Sequence, residues 1–472
     1  MLKTILAHSL VLGILCCNST LAQIPAAAAD ASSDREPRSV ILIIGDGMDD
    51  QQVTIARNYL AGASGHLGLD KMPLRSSSQV LSMEDRVDGG PIYVADSANT
   101  ATSMATGVIT SRGRISTSAG SDQDLPTIME MANSAGYKTG IVTTASVTDA
   151  TPSAFAAHIS YRLCENPELM EDVSYSGIHL GECKADQKAN GGMGSISEQL
   201  ANSKVDVILG GGSKHFEMNA ESSAESVLQL ARNNGFTSVT GTDEMLEADH
   251  SERLLGLFAP STLPVRLQGE NGRGAEAPEP SILNYIHDYL GDVEQPEPMQ
   301  CEPNPEFGSI PTLRQMTDTA LTHLSYGNDR GFFLMIESAS IDKQAHERMP
   351  CGSIGELEQL EEALQSALAF AETHPRTLIL VTADHGQAAQ IVPDESLFSD
   401  YPIPVYTPGM IARIITPEGG RLAINYATNN FQMGEHTGVN VPLYANREGL
   451  GLIPPFIQQP QIFALSRDYL GL

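Results

Sequence analysis

Ser97 stands in the segment Val94-Ala95-Asp96-Ser97-Ala98, and its hydroxyl is a candidate nucleophile. A serine hydroxyl has to be activated before it can attack an electrophile. Carboxylates and imidazoles of the kinds that bind metal ions lie far from it on either side along the chain: Asp46, Glu337, Asp342, His346, Asp384, His385 and His436. This set predicts activation by metal ions in place of a histidine base paired with an aspartate.

The local spacing of these candidates supports a metal site only weakly. Asp342 and His346 are four residues apart, so on a helix they would point the same way and could bind one metal ion. Such pairs are also common on solvated helix faces. Asp384-His385 is likewise a weak pair, and an isolated His436 is more often an ordinary surface or core histidine.

The elements that must position these residues are predicted from short apolar segments, which are typical of strands buried on both faces of a parallel sheet. They cover residues 40–44, 138–143, 205–209, 332–336 and 377–381. Between them lie helical patterns, the clearest with apolar residues three and four apart at Leu357, Leu360, Leu364, Ala367, Leu368 and Ala371. The alternation predicts an α/β fold, a three-layer α/β/α sandwich with a large, mostly parallel central sheet.

Several candidate residues directly follow predicted strands. Asp46 follows 40–44, Glu337 follows 332–336, and Asp384-His385 follows 377–381. Ligands bind outside the carboxyl ends of the strands in open α/β sheets, so we expect these side chains to meet at one edge. Asp-Gly after a strand is by itself usually a turn, so Asp46 alone would be a weak candidate.

The chain has 472 residues with 58 acidic and 28 basic side chains, a formal net charge of −30. This balance argues against nucleic acid as a partner, because phosphate backbones bind to basic patches. Crowded carboxylates repel one another, and salt screens that repulsion. We therefore hypothesise a salt-tolerant protein; the alternative is an acidic surface that serves only solubility.

The first 22 residues predict a secretory signal peptide with Lys3, an apolar run over 5–15 and a small-residue cleavage site ending at Ala22. The run is too short to span a bilayer, and no membrane partner is expected. Residues 23–38 read as a disordered leader and 39–472 as one catalytic domain. Residues 259–308 predict surface loops around one short helix near 282–290.

Six cysteines are present, of which Cys16 and Cys17 lie within the predicted signal peptide and leave open a lipid anchor. An even number of the remainder in an exported chain suggests two disulfides, for which three connectivities exist. Proximity along the chain favours one of the three, and free buried thiols are the alternative. The favoured pairs are Cys164 with Cys183 and Cys301 with Cys351.

Six ordered blocks carry a family resemblance. They are Ile43-Ile44-Gly45-Asp46-Gly47-Met48, Asp96-Ser97-Ala98, Asp149-Ala150-Thr151-Pro152, residues 337–346, Thr382-Ala383-Asp384-His385 and Glu435-His436-Thr437-Gly438. In these blocks the chain resembles the periplasmic bacterial alkaline phosphatases over about residues 39–472. The resemblance implies hydrolysis of phosphate monoesters to an alcohol and inorganic phosphate through a phosphoserine, export to the periplasm and a homodimer.

The resemblance also implies two Zn²⁺ and one Mg²⁺. Asp342, His346 and His436 would hold one Zn²⁺, and Asp46, Asp384 and His385 the second, beside Ser97. Asp46, Thr151 and Glu337 would hold Mg²⁺. Imidazole and carboxylate ligands suit Zn²⁺, and an all-oxygen set suits Mg²⁺.

Three further roles follow from the resemblance. Arg162 matches the arginine that grips two phosphate oxygens, as a planar guanidinium can. Asp149 and Lys343 match the pair that tunes phosphate and Mg²⁺ binding from behind the ligands. Ser97 also begins a predicted helix whose amide groups favour an anion, although an ordinary N-cap serine would give the same pattern.

The chain departs from the family pattern at Asp49, where glycine is usual, and at Asn99. Asp49 adds negative charge near Asp46, which would affect phosphate affinity and not the reaction class. Among alternatives, sulfatases need a proline and an arginine after the nucleophile, which Asp96-Ser97-Ala98-Asn99-Thr100 lacks. Phosphodiesterases typically use threonine and lack the arginine clamp. An inactive phosphate-binding protein would not need Ser97 beside a zinc site.

Overall fold

Strand β1 begins the central sheet, and all seven of its residues, Ser39–Gly45, are buried. The computed structural model of the chain describes residues 37–472 apart from 288, 399 and 402–408. The predicted signal peptide and all but the last two residues of the predicted leader lie outside these residues, so both stay predictions.

The described strands are β1 (Ser39–Gly45), β2 (Leu74–Gln79), β3 (Ser82–Met83), β4 (Pro91–Ile92), β5 (Lys138–Ser146), β6 (Val173–Tyr175), β7 (Ile178–Gly181), β8 (Val207–Gly211), β9 (Phe236–Val239), β10 (Arg253–Leu257), β11 (Leu267–Gly269), β12 (Glu279–Pro280), β13 (Val293–Glu294), β14 (Cys301–Pro303), β15 (Phe332–Ser338), β16 (Thr377–Ala383), β17 (Gln390–Val392), β18 (Met410–Ile415), β19 (Arg421–Tyr426), β20 (Val441–Ala445) and β21 (Phe456–Gln458).

The described α-helices are α1 (Asp50–Leu60), α2 (Ser97–Thr106), α3 (Ile128–Ser134), α4 (Ala150–Ser153), α5 (Ile196–Asn202), α6 (Ser213–Phe216), α7 (Val227–Asn233), α8 (Thr242–Leu246), α9 (Leu313–Ser325), α10 (Ser340–His346), α11 (Pro350–Thr373) and α12 (Pro460–Leu470). Short 3₁₀ turns lie between them.

Ten strands form the central sheet in the order β21-β2-β20-β16-β1-β15-β5-β8-β10-β9. Strand β20 runs antiparallel to both of its neighbours, β16 and β2, and the remaining neighbours pair in parallel. The predicted mostly parallel sheet is confirmed. All five predicted strands are present, although β8 begins two residues later than expected, at Val207.

Alternate residues of β1 face two helical layers. Val40, Leu42 and Ile44 belong to the core that includes residues of α2, α3 and α12. Ile41 and Ile43 belong to the core on the other face, with residues of α1, α9 and α11. Period-two alternation sends successive side chains to opposite faces, so apolar residues at every position require cover on both. The predicted α/β/α sandwich is confirmed.

The helix expected near 282–290 is wrong in extent. Among the described residues of this segment, which leave out 288, only Ile282–Tyr285 is helical, as a 3₁₀ turn. Strands β12 and β13 pair with each other, and Ser281 N donates to Asp292 O at 2.9 Å. This pairing brings the two ends of the loop together. The side chains of Ile282, Tyr285 and Ile286 are exposed, so a longer helix would have no core face to bury.

Both favoured disulfides are present. Cys164 is bonded to Cys183 with a Cα–Cα distance of 6.3 Å, and Cys301 to Cys351 with 5.4 Å. Free thiols and the other connectivities are thereby excluded for these four residues. Among the helices of the described residues, none is both long and apolar enough to cross a bilayer.

Candidate active site

Three adjacent strands bring the predicted carboxylates to one edge of the sheet. Asp46 follows β1, Glu337 is the next-to-last residue of β15, and Asp384 follows β16. Strand β1 lies between the other two, with Ile44 opposite Glu337 and Gly45 opposite Ala383. The register therefore aligns the three strand ends. The three carboxylates lie at the same carboxyl edge of the sheet, as expected.

Ser97 is the first residue of α2 and is only 3% exposed. Its Oγ lies 3.1 Å from His385 Nε2 and 3.4 Å from each carboxylate oxygen of Asp46. The N-cap is Asp96, not Ser97: the Asp96 carboxylate accepts from Asn99 N, and the Asn99 amide oxygen accepts from Asp96 N. Because Asp96 caps the helix, the hydroxyl of Ser97 is free to face the carboxylate cluster.

Helix α10 brings Asp342 and His346 together as their spacing predicts. His346 Nε2 lies 3.3 Å from Asp342 Oδ2. His436, from the loop before β20, joins them, with its Nε2 3.0 Å from His346 Nε2 and 3.4 Å from Asp342 Oδ1. His385 Nε2 lies 3.3 Å from both Asp46 Oδ1 and Asp384 Oδ2.

All three imidazoles are oriented in the same way. Nδ1 faces a backbone carbonyl in each ring: Gly434 O at 2.7 Å for His346, Gly386 O at 3.3 Å for His385 and Ala95 O at 2.8 Å for His436. An Nδ1–H that donates to a carbonyl leaves the lone pair on Nε2, which faces the cluster. This is the arrangement by which proteins prepare histidines as metal ligands.

Electrostatics at this edge favour bound cations. Burial, followed by the charges of Asp384 and Asp342, raises the pKa of Asp46 well above its usual range. Burial also raises the pKa of Glu337 to about 8. Buried carboxylates this close together cannot all ionise without compensation, and metal ions would supply it.

The donor groups fit those cations. Asp342, His385 and His436 offer ligand atoms within 4.8 Å of one another, as do Asp46, Asp384 and His385. These are nitrogen and oxygen ligands of the kind zinc prefers. The buried Thr151 Oγ1 on α4 has no hydrogen-bond partner among the described residues, and together with carboxylates it would complete an oxygen set for Mg²⁺.

The residues of the predicted phosphate clamp come from α10, from the start of α4 and from the loop that carries Arg162, and they contact one another. Arg162 Nη2 donates to Asp149 Oδ1 at 2.9 Å, and its Nη1 donates to Asp96 Oδ2 at 3.4 Å. Lys343 Nζ donates to Asp149 Oδ2 at 2.5 Å. Although burial opposes charge on all three groups, the two cations hold the pKa of Asp149 well below its usual value, and Asp149 raises the pKa of both Arg162 and Lys343.

Some supporting residues were missed in the sequence. Gln387 Nε2 donates to Asp342 Oδ1, Thr143 Oγ1 donates to Glu337 Oε2, and Thr100 Oγ1 donates to Asp384 Oδ2 at 3.3 Å. Gln387 lies three residues after Asp384 at the same strand end, a signal that could have identified it. Thr143 offers no comparable signal, because its role depends on a neighbouring strand.

The two departures from the family pattern serve as helix caps. Asp49 is the N-cap of α1 and accepts from Gln51 N at 2.9 Å and Gln52 N at 3.1 Å, and its other oxygen accepts from Gln387 N at 3.2 Å. Asn99 completes the capping box of α2. Burial raises the pKa of Asp49 to about 6. The expected effect of Asp49 on phosphate affinity stays a prediction, but its structural role is clear.

Comparison with known proteins gives a consistent result. The family described as alkaline phosphatase matches residues 37–405. The chain is 37% identical over 455 residues to the alkaline phosphatase of Escherichia coli strain K12, covering 95% of this chain and 89% of that one. It is 38% identical over 437 residues to the streptomycin-6-phosphate phosphatase of Streptomyces griseus, covering 91% and 90%.

Solved structures share the fold at lower identity. The alkaline phosphatase of the Antarctic bacterium TAB5 superposes with a TM-score of 0.65 at 21% identity, covering 92% of this chain and 99% of that one. That of Thermus thermophilus gives a TM-score of 0.65 at 19% identity, covering 93% and 92%.

Proposed function

The chain belongs to the alkaline phosphatase family, whose members hydrolyse phosphate monoesters, and on this premise we propose that Ser97 is its nucleophile and forms a phosphoserine intermediate. One observation carries the proposal. The Ser97 hydroxyl stands at the first residue of α2, 3.1 Å from His385 Nε2 and 3.4 Å from Asp46, at the centre of the buried cluster. A serine whose only role was to cap α2 would occupy the N-cap position, and Asp96 occupies that position.

Two Zn²⁺ and one Mg²⁺ complete the proposed site. Asp342, His346 and His436 would hold one Zn²⁺, and Asp46, Asp384 and His385 the other; Asp46, Thr151 and Glu337 would hold Mg²⁺. When bound, these cations supply Lewis-acid charge that lowers the pKa of a neighbouring hydroxyl and stabilises negative charge on oxygen. A TAB5 alkaline phosphatase variant has been solved with Mg bound, which supports the inclusion of magnesium.

The chain's own residues then perform a double displacement. Ser97 Oγ gives up its proton to solvent and attacks phosphorus; the Oγ–phosphorus bond forms while the ester bond to the alcohol oxygen breaks, and that oxygen takes up a proton from solvent. A water molecule then attacks the phosphoserine from the side the alcohol left and loses a proton to solvent, and inorganic phosphate is released as Ser97 Oγ is reprotonated. Because each displacement inverts phosphorus, the two together give net retention of configuration.

Arg162 would position the phosphoryl group. Its guanidinium is oriented by Asp149 and Asp96 and stays charged, and its planar fork can donate to two non-bridging oxygens. The first-turn amides of α2 add partial positive charge near Ser97. A phosphate monoester carries one more negative charge than a diester, and Arg162 together with the amides of α2 would bind that charge.

The test is Ser97→Ala with Ser103→Ala as the matched control. Ser103 lies on the same helix, is also buried, and donates to Asn99 O at 2.9 Å. Ser97→Ala should lower turnover of a chromogenic phosphate ester by several orders of magnitude while its zinc and magnesium contents stay equal to those of the native enzyme. Acid quenching during turnover should trap a phosphorylated Ser97 peptide in the native enzyme and in Ser103→Ala.

Native-like turnover in Ser97→Ala would overturn the nucleophile assignment. Metal analysis that finds no zinc in active enzyme, or activity that survives complete chelation, would overturn the proposed cofactors independently of the serine.

Export to the periplasm and a homodimer are also proposed. The signal-peptide pattern and the two disulfides support an oxidising compartment outside the cytosol. The dimer rests on family membership. Sequencing of the mature amino terminus, expected after Ala22, and light scattering, expected to give twice the chain mass, test the two proposals.

A further inference from the structure

Two histidines outside the candidate active site, His250 and His323, lie side by side. His323 is near the end of α9, and His250 lies three residues before β10 begins. Lys138, the first residue of β5, donates from Nζ to His323 O at 2.9 Å. The pair is therefore at the amino edge of the sheet, opposite the carboxylate cluster. A seven-residue strand at about 3.3 Å per residue puts roughly 20 Å between the two edges.

Three of the four ring nitrogens of this pair are buried without a well-formed hydrogen bond. His323 is 2% exposed, and neither of its nitrogens makes such a bond among the described residues, although the backbone of Glu252 is close enough to raise its pKa; His250 Nδ1 is likewise unpartnered. A buried polar nitrogen without a partner costs about 1–3 kcal/mol, so three of them in one place require an explanation. A bound ion is one such explanation.

The geometry of the rings suits a shared metal ion. Their centroids are 4.8 Å apart with an interplanar angle of 76°. The centroids of His346 and His436, in the candidate metal cluster, are also 4.8 Å apart. Two imidazoles on one tetrahedral ion, with metal–nitrogen bonds of about 2.0–2.1 Å, place their centroids about 5 Å apart.

The surroundings are compatible with a cation on neutral imidazoles. Burial, with the charges of His250 and Lys138, lowers the pKa of His323 and so favours the neutral imidazole that a metal ion needs as ligand. The exposed Asp249 is close enough for both histidines to lower the pKa of its carboxyl, although its hydrogen bonds from Ser251 contribute more. Lys138 opposes a cation, but its ammonium is engaged by the carbonyls of His323 and Tyr326.

We propose that His250 and His323 form a second metal site that binds one late first-row transition-metal ion, such as Zn²⁺, and ties the segment before β10 to α9. Nitrogen ligands exclude Mg²⁺ and Ca²⁺ as the preferred occupants. Two protein ligands leave the remaining positions to water or to oxygen atoms nearby. The ion would stabilise the fold without taking part in hydrolysis.

The test uses the holoenzyme, first loaded with zinc and magnesium and then equilibrated with micromolar free Zn²⁺. Native protein should bind one zinc per chain more than His250→Gln, and the substitution should weaken binding at this site at least roughly tenfold. His179→Gln is the matched control, because His179 is exposed and pairs with Asp172 at 2.6 Å. Phosphatase turnover should be the same in all three proteins.

A second variant separates the metal from simple packing. His323→Leu removes both unpartnered nitrogens, so without added zinc it should be at least as stable as the native holoenzyme. Added zinc should raise the melting temperature of native protein and of His179→Gln, but not of His323→Leu. Equal zinc stoichiometry in native protein and both pair variants, or an equal loss in His179→Gln, would overturn the proposal while leaving the hydrolytic mechanism untouched.

Discussion

Ser97, Asp46 and His385 meet within hydrogen-bonding range although 51 and 288 residues of chain separate Ser97 from the other two. Each comes from a different element, so the proposed catalytic arrangement exists only in the folded protein. Arg162 is assembled in the same way, between Asp149 and Asp96. Neighbouring side chains that form hydrogen bonds or ion pairs with each functional group therefore determine its orientation.

Arg162→Ala should impair the enzyme more mildly than Ser97→Ala. The guanidinium contributes to binding of the phosphoryl group, which the proposed cations also hold, so KM for a phosphate ester and the inhibition constant for inorganic phosphate should both rise. Steady-state kinetics with Arg314→Ala as control measure this, because Arg314 is an exposed arginine, 3.8 Å from Asp318. A loss greater than that of Ser97→Ala would contradict the assigned roles.

Glu165 should make folding stability depend on pH. Burial and the charge of Asp149 raise its pKa to about 7, and the facing His215, 3.1 Å away, has a pKa lowered to about 4 by burial. A carboxyl whose folded pKa is raised contributes stability at low pH that is lost as pH rises through about 7.

The glutamine in Glu165→Gln cannot ionise. Between pH 4.5 and pH 8, the free energy of unfolding of the native protein should therefore fall by up to about 3 kcal/mol relative to that of the variant. Urea denaturation with zinc and magnesium present measures the difference. A gap that stays constant across this range would show that Glu165 does not titrate as inferred.

Helix α1 illustrates how an element supports the site. Its N-cap, Asp49, also accepts from the backbone of Gln387, and Gln387 in turn holds Asp342. The start of one helix and the orientation of a proposed metal ligand are thus joined through two side chains.

Asp49→Ala should lower the free energy of unfolding by about 1–2 kcal/mol, because two amide groups of α1 lose their acceptor. Asp49→Asn keeps an acceptor of similar shape and should cost less. Burial raises the pKa of Asp49 to about 6, so the native protein loses stability as pH rises through 6, whereas Asp49→Asn does not. The losses on substitution should therefore be larger at pH 4.5 than at pH 8. Urea denaturation of the three proteins at both pH values tests this order; equal losses in the two variants at pH 4.5 would refute the capping role.

The whole molecule carries a net charge of −30. Mutual repulsion among surface carboxylates is screened over roughly 10 Å at about 0.1 M salt and over shorter distances at higher salt. Melting temperature at fixed pH and zinc should therefore rise with sodium chloride. Salt should also weaken the negative electrostatic field around the protein, so an anionic substrate should associate with it faster.

Sodium bromide at equal ionic strength is the control, because at low concentration screening does not depend on which halide is present. If melting temperature and phosphatase rate both fall steadily from low salt to molar sodium chloride, the acidic surface has no protective role and the hypothesis of salt tolerance is wrong.

Local patterns along the chain were enough to predict the sandwich, the strand ends that carry Asp46, Glu337 and Asp384, and the favoured pairing of the two disulfides. Those features depend on local properties: apolar runs, helical spacing and proximity along the chain. Even the pairing of Asp342 with His346 follows from one helical turn.

Three features could be seen only in the folded chain: His385 belongs to both candidate ligand groups, Asp96 both caps α2 and orients Arg162, and His250 faces His323. These contacts join residues from different elements. Their formation depends on strand order, on helix packing and on which rotamer the surrounding core permits, and no local pattern in the sequence records those quantities. The hairpin at 281–292 differs from its prediction for the same reason, because pairing between β12 and β13 overrode the local helical tendency.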